Sequence, residues 1–364
     1  MSTKSCARRL LLTIPALECG GAERVLTTLA NYWVSLGWDI TLLTYEKEGV
    51  QPFYTLDTRI RLIQIDALSF NPFLLLWDVI KRLFYIRKVV KKLQPDGVLS
   101  FLDMNNVLTF WAVRGLDAPV WVSERIDPHA SPIPGIKKKL RDLTYNVAQG
   151  VVVQTQRIAD AMKGISVQVI SNPFMVIEAP ELKREKIIVA AGRLDSQKGF
   201  DGLIRSFQGI ASQYPDWSLV IWGEGEERVH LERMIAHYNL AKQVRLPGRT
   251  KDIFSEMQKG SIFVLSSRFE GMPNALGEAM SLGLAVISTD CPTGPRELIE
   301  NEKNGLLVPV DDEASMAQAM EKLIQDEKLR ESLGKEAHKA MRKYSIQEIS
   351  KQWEEVFDGE EENK

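Results

Sequence analysis

Cysteine is nearly absent: the 364 residues hold three, Cys6, Cys19 and Cys291, at spacings that suit neither a disulfide framework nor a metal site. Histidine is almost as scarce, and His129, His230, His237 and His338 never recur at ligand-like intervals. No Asp-x-Asp pair occurs either, so the chain offers no obvious seat for a divalent metal. No uncharged apolar run is long enough to span a bilayer, which leaves any membrane contact to the protein surface. A net charge of -2 gives no reason to expect nucleic acid as a partner. The absence of a full G-x-G-x-x-G run argues against a nicotinamide dehydrogenase.

What remains is an ordinary globular composition, 45% hydrophobic and 26% charged, on a chain long enough to predict two domains with a cleft between them. The charge is unevenly divided. Residues 1–172 carry a net +6 and the remainder a net -8, so the first half is expected to face the more anionic partner, a membrane surface or a polyphosphate acceptor. Arg8-Arg9, the apolar run to Leu17 and then Cys19 imitate a short leader, but Glu18 fits a cleavage site poorly and the following glycines suit a strand-to-helix turn. The few cysteines suit a reducing cytoplasm.

Short apolar runs alternate with longer segments of helical period. Arg9–Pro15, Trp38–Thr44, Gly97–Phe101, Val120–Val122 and Val151–Gln154 read as buried parallel strands, and the pattern restarts with Ile187–Ala191, Ser218–Trp222, Gln243–Leu246, Ile262–Leu265 and Ala285–Thr289. This predicts an α/β protein of two doubly wound units. Ser171-Asn172-Pro173 is the expected link, giving domains 1–172 and 173–364. In such sheets ligands bind beyond the carboxyl ends of the strands, so chemistry-bearing residues should follow strands.

They do. After Ile262–Leu265 comes Phe269-Glu270-Gly271-Met272-Pro273-Asn274-Ala275-Leu276-Gly277-Glu278, in which Gly271 and Pro273 force a loop and Asn274 is a good N-cap for a helix to about Leu282. The first amides of that helix, Ala275 to Gly277, would face a diphosphate; Glu278 would reach a ribose diol, and Glu270 the donor sugar. Two glutamates eight apart are common on solvated helices, and only their placement after a strand and a Gly/Pro loop favours a site. After Ile187–Ala191, Gly192 and Gly199 permit tight turns while Arg193 and Lys198 bring two cations to the same sheet edge, where they would offset charge on a departing diphosphate.

These residues resemble the family 4 retaining glycosyltransferases, whose GT-B architecture has two facing Rossmann-like domains with an interdomain cleft. The resemblance runs along nearly the whole chain and is densest over 190–311, through Trp222-Gly223-Glu224-Gly225, Leu246-Pro247-Gly248-Arg249, Cys291-Pro292-Thr293-Gly294-Pro295-Arg296-Glu297 and Asn304-Gly305-Leu306-Leu307-Val308. It implies that an N-terminal domain binds acceptor and a C-terminal domain binds a nucleotide sugar, with the last helix packing back on the first domain. It makes Glu270 and Glu278 the family's E-x7-E pair and puts Arg193 and Lys198 on the donor diphosphate. Gly192, Arg249, Asn274, Ala275 and Leu276 would complete the donor site, with no metal and no cofactor beyond the donor. The Cys19-Gly20-Gly21-Ala22-Glu23-Arg24 loop would bring Gly20 and Gly21 to the donor phosphates from the opposite wall.

In the acceptor half, Asp103 stands where many members carry a histidine near the reacting sugar; it is a candidate catalytic group or a helix cap. The Ser123-Glu124-Arg125-Ile126-Asp127-Pro128-His129 run is similar to members that build bacterial surface and lipid-linked glycans. It points to Arg125 for an acceptor phosphate and to Glu124 or His129 for an acceptor hydroxyl, an internal Glu124–Arg125 ion pair being the alternative. Along the stretch from Trp77 to Leu93, with Leu76 just before it, Leu76, Val79, Leu83, Ile86, Val90 and Leu93 share one helical face and Lys81, Lys88 and Lys92 the opposite one. Together with Arg82, Arg87 and Lys91, and with Lys137-Lys138-Lys139 further on, they would hold the protein to the inner face of the plasma membrane. An ordinary solvated helix is the alternative.

The resulting expectation is a retaining, metal-independent, UDP-dependent transferase that adds an α-linked N-acetylgalactosamine to a polyprenyl-diphosphate-linked bacterial glycan. Hexosyl transfer in lipopolysaccharide core or capsule synthesis is the second reading, and a catalytically silent sugar-nucleotide sensor or scaffold the third.

Overall fold

The computed structural model describes residues 7–67, 75–125, 135–162, 164–176 and 184–359. It divides the chain into two compact units, one running to Pro173 and taking back the residues from Ile346 on, the other spanning Phe174–Ser345. Pro173 therefore belongs with the first unit rather than opening the second, and so does the last helix.

The first unit contains β1 (Arg9–Thr13), α1 (Gly21–Ser35), β2 (Asp39–Thr44), β3 (Arg61–Gln64), α2 (Leu75–Leu93), β4 (Gly97–Phe101), α3 (Asp103–Val113), β5 (Val120–Ser123), α4 (Gly135–Tyr145), β6 (Gly150–Val153), α5 (Gln156–Ala161) and β7 (Val167–Val169). Its seven strands are parallel in the order β3-β2-β1-β4-β5-β6-β7. Strands such as Gly97–Phe101, buried at every position, are largely apolar because helices cover both faces, and the one hydroxyl, on Ser100, is hydrogen-bonded. Ile86 and Val90 of α2, Ala112 and Val113 of α3, Tyr145 of α4 and Ile158 of α5 share one core, so these helices form one layer. Right-handed crossovers put α1, whose connection runs the other way, on the opposite face.

The second unit contains β8 (Ile187–Ala191), α6 (Phe200–Ala211), β9 (Ser218–Trp222), α7 (Arg228–His237), β10 (Val244–Gly248), α8 (Ile253–Lys259), β11 (Ile262–Leu265), α9 (Asn274–Ser281), β12 (Ala285–Thr289), α10 (Pro295–Leu298), β13 (Leu306–Val308), α11 (Glu313–Gln325) and α12 (Glu327–Met341). Its six parallel strands run β10-β9-β8-β11-β12-β13. The chain enters beside the place it leaves, where Phe174 forms a parallel bridge with Ser345 and its N–H bonds Tyr344 O at 2.9 Å.

The final helix, α13 (Ile346–Asp358), returns to the first unit. Its Trp353 meets Trp33 of α1 edge to face at 6.5 Å, its Phe357 meets Trp121 of β5 at 4.8 Å, and Trp33 Nε1 donates to Ser350 Oγ at 3.0 Å. Aromatic pairs of this kind add about 1 kcal/mol each beyond the area they bury, which helps to fix a helix whose Ser350 lies 317 residues from Trp33 in sequence. Sequence reading missed β3, β7 and β13, all of three or four residues and outermost in their sheets.

Candidate active site

In each sheet the strand order reverses once. The reversal lies between β8 and β11 in the second unit and between β1 and β4 in the first, and loops leaving such adjacent strands splay apart to form a crevice. The loops at the first of these points carry Lys198 and Glu270.

Lys198 ends a 3₁₀ turn, Ser196–Lys198, that Asp195 caps by accepting the Lys198 N–H. The next residue has φ +61, and a side chain there would run into the Ser266 carbonyl, so Gly199 lets the lysine loop lie against the loop from β11. Ser266 Oγ donates to Lys198 O at 2.8 Å, and Arg268 N–H to Gln197 O at 2.8 Å. Thus held, Lys198 Nζ lies 2.6 Å from Glu270 Oε1, with the lysine side chain 19% and the glutamate 7% exposed. Ser267 Oγ donates to the same carboxylate oxygen at 2.6 Å, and Thr293 Oγ1 to the Glu270 carbonyl. Gly192 faces the Lys198 stem, which an added Cβ would meet at 3.2 Å.

Arg193 does not join the pair. Its side chain is 72% exposed and its Nε sits 3.2 Å from Asp195 Oδ2. Arg249, exposed after β10, is the lesser of two cations that hold the Glu224 carboxyl below its usual value; hydrogen bonding to Arg228 is the main cause. Asn274 is not the cap of α9. Pro273 occupies that position, Asn274 is the first helical residue, and the Gly277 N–H already bonds Pro273 O, which leaves Ala275 and Leu276 in the first turn. Glu278 is buried one turn into this helix.

An ion network braces the two loops. Arg268 donates to Asp311 Oδ1 at 2.9 Å, Ser196 O at 2.5 Å and Asp201 Oδ2 at 3.0 Å, while Arg205 links Asp201 to Glu313. Burial raises the Asp201 carboxyl, but its bonds to Arg268 and Arg205 outweigh that and bring it down to about 2. Sequence reading overlooked Ser267, Thr293, Arg268 and Asp201. Ser267 and Arg268 lay within the glutamate loop itself, whereas Thr293 and Asp201 come from other segments.

At the switch point of the first unit, Asn105 Nδ2 donates to Thr13 O and Phe101 O, each at 3.0 Å, tying β1 to β4. Leu102, between β4 and α3, takes φ +77, an uncommon conformation for a side chain of its size. It presents Asp103 as the first residue of α3, with Oδ1 accepting the Met104 N–H at 2.5 Å, so the side chain does serve the helix start. On the other side of the crevice Gly20 caps α1, and a methyl group on it would collide with the Glu23 carboxylate.

Glu124 is spent internally. Its oxygens accept from the Arg125 N–H and the Tyr145 hydroxyl, both at 2.9 Å, and Tyr145 also accepts from Asn106 Nδ2. Arg125 is 7% exposed, with its guanidinium 4.1 Å over the Phe101 ring and Nη1 donating to Asn172 Oδ1 at 2.6 Å. Among the described residues, its Nε and Nη2 are buried without a hydrogen-bond partner. Burial pulls its pKa down to about 9 against the opposing pull of Glu124, the mark of a cation short of counter-charge. His129 lies outside the described residues.

Both halves of the chain match known families: residues 19–174 match Glycosyltransferase Family 4, and residues 176–340 match Glycosyl transferases group 1. The chain is a family 4 glycosyltransferase.

This transferase is 26% identical over 353 residues to a Campylobacter jejuni α-1,4-N-acetyl-D-galactosaminyltransferase named for an undecaprenyl-diphosphate-linked acceptor, covering 95% of this chain and 97% of that one. It is 27% identical over 367 residues to the amylovoran biosynthesis glycosyltransferase AmsD of Erwinia amylovora, covering 96% and 99%. Among solved structures it superposes on TarM with a TM-score of 0.82 at 16% identity, covering 98% and 99%. It superposes on Anabaena HepE in complex with UDP-glucose with a TM-score of 0.80 at 17% identity, covering 97% and 100%. The architecture is the GT-B one, two parallel-sheet α/β domains.

The lysine stripe of the transferase's α2 needs correction. Lys81 is half-buried and donates to Asp66 O, Arg82 donates to Ala67 O at 2.8 Å, and Arg87 to Ala112 O at 2.9 Å. Half of that helix's six cations therefore secure neighbouring segments, Lys81 and Arg82 a loop and Arg87 the end of α3, leaving Lys88, Lys91 and Lys92 exposed. No helix among the described residues is long and apolar enough to cross a membrane.

Proposed function

We propose that this transferase moves a sugar from a UDP donor, with retention, onto a bacterial glycan carried on a polyprenyl diphosphate, and that the sugar is an α-linked N-acetylgalactosamine. The reading is carried by the Lys198–Glu270 pair at the switch point of the second unit. A cation held at low exposure against the loop that leads into α9 suits a diphosphate leaving group, and the paired carboxylate next to it suits the hydroxyls of the attached sugar. Arg125, whose Nε and Nη2 have no partner among the described residues, suits a phosphate of the acceptor. The acceptor class is supported by two relatives with such acceptors in their names, both from Campylobacter jejuni. In the reaction the bond from C1 to the diphosphate oxygen breaks, the acceptor hydroxyl attacks from the same face, and its proton passes to the leaving diphosphate, with Lys198 and the exposed Arg193 countering the charge. No second carboxylate acts as nucleophile, unlike in retaining glycosidases.

Calorimetry with a panel of UDP- and GDP-sugars, followed by transfer assays on a polyprenyl-diphosphate-linked acceptor, tests this. Binding and transfer of UDP-N-acetylgalactosamine are expected. Transfer of a hexose to a lipopolysaccharide core acceptor instead would favour the second reading, which relatives such as the Rhizobium meliloti LpsE support. Donor binding with neither transfer nor slow hydrolysis would leave a sensor or scaffold.

A further inference from the structure

The first unit turns two apolar stripes to solvent on one side of its sheet. Along α2, Trp77, Ile80 and Phe84 recur at helical spacing and are 67, 47 and 63% exposed. Along α4, Ile136, Leu140 and Leu143 do the same at 75, 39 and 53%. These are not the faces that build the core, for which α2 uses Ile86 and Val90, and α4 uses Thr144 and Tyr145. Both helices pack on α3, one on each side, so the stripes belong to one surface. Single exposed apolar residues are normal, but two parallel rows of large ones mark a contact.

The charges around the rows indicate with what. On α2 the outward side continues past Phe84 into Lys88, Lys91 and Lys92, all exposed; on α4 the row is bordered by exposed Lys137 and Lys139. The acids of both helices are withdrawn: Asp78 is buried, and Asp142 is bound by Lys138 and Arg141. A protein partner's apolar core would exclude ammonium groups, whereas a bilayer interface offers acyl chains and phosphates within a few ångströms of each other. Aromatic rings such as Trp77 and Tyr85 favour that same depth.

We infer that the outer face of α2 and α4 inserts into the interfacial region of an anionic phospholipid bilayer, with the apolar rows among acyl chains and the lysines at the phosphates. Insertion, and not charge alone, holds it there. This deepens the lipid-linked acceptor reading by naming the surface that meets the lipid, and it rests on that reading for its purpose, but it is testable without any acceptor.

The full chain is floated with phosphatidylglycerol/phosphatidylcholine vesicles at low salt and at about 1 M salt, where exposed charges are screened within about 3 Å. Changing Ile80, Phe84, Ile136 and Leu143 together to Ser is expected to lower binding at least about tenfold at both salts. Changing Lys88, Lys91 and Lys92 to Gln is expected to lower it at low salt only. Trp77 fluorescence is expected to be quenched by acyl-brominated lipid, an effect lost in Trp77→Phe. Wild-type vesicle binding by the quadruple variant would overturn the inference. So would a wild-type dimer that becomes monomeric in that variant with vesicle binding unchanged, since the rows would then join two copies. UDP-sugar hydrolysis by the same preparations is expected to be equal in wild type and variant, which separates the docking face from the donor site; an unfolded variant would show that the rows are not surface and would also overturn it.

Discussion

Lys198 Nζ and Glu270 Oε1 lie 2.6 Å apart although 72 residues separate them in the chain, and each reaches that point on a loop that leaves a central strand where the strand order reverses. Neither loop would hold its residue alone. Gly199 against Ser266, Ser266 Oγ on Lys198 O and the Arg268 staples make the two loops one structure.

Lys198→Ala is expected to cut turnover by about a hundredfold or more, because the leaving diphosphate loses its least exposed cation. It also leaves Glu270 without its ion-pair partner, at a cost of about 1–3 kcal/mol in stability, below the range for a fully buried pair because the lysine retains some solvent access. Steady-state kinetics with urea unfolding measures both. Full activity in the folded variant would remove Lys198 from the reaction.

Chelation is expected to leave activity unchanged, since Lys198 and the start of α9 can supply the positive charge that a metal would otherwise bring to a diphosphate. Assays with and without EDTA decide this, and loss of activity restored by magnesium or manganese would contradict it.

Asp201→Asn is expected to destabilise the second unit by about 1 kcal/mol at neutral pH. A carboxyl lowered to about 2 from an ordinary value near 4 corresponds to roughly 2 kcal/mol, discounted here because the network is partly exposed. A depressed folded pKa means stability that is fully present above the unfolded value and lost as pH falls through the folded one. The gap between variant and wild type should therefore close between about pH 4 and pH 2 in urea titrations. A gap that persists at pH 2 would assign the effect to packing.

Arg125→Met is expected to be neutral or to raise stability by up to about 2 kcal/mol, because it replaces a buried cation, two of whose nitrogens have no partner among the described residues, by an apolar chain. The same change should raise the KM for a phosphate-bearing acceptor at least about tenfold and leave donor hydrolysis alone. Strong destabilisation with unchanged acceptor kinetics would make Arg125 a structural residue.

The sequence by itself determined the two doubly wound units, because a strand buried on both faces is largely apolar along its length, as β4 is. It also determined which loops carry charge after a strand, since Gly and polar residues break the apolar run there, as around Lys198 and Glu270. Short outer strands like β7 stayed hidden, because three residues with one face exposed make no distinguishable pattern. Tertiary structure alone decided what each charged group is used for. Arg193 and Lys198 look equivalent in sequence, but one lies in solvent against Asp195 and the other is enclosed with Glu270. Glu124 and Arg125 are neighbours in the chain, yet one is satisfied by Tyr145 and the other is left short of partners. On α2 the pattern separated core face from outer face, but only the fold showed that Lys81 is tied to a loop while Trp77 and Phe84 face outward. The reason is physical: hydrophobic periodicity is a local property of one helix or strand, whereas the pairing and desolvation of a charge depend on whatever distant segments the fold brings against it.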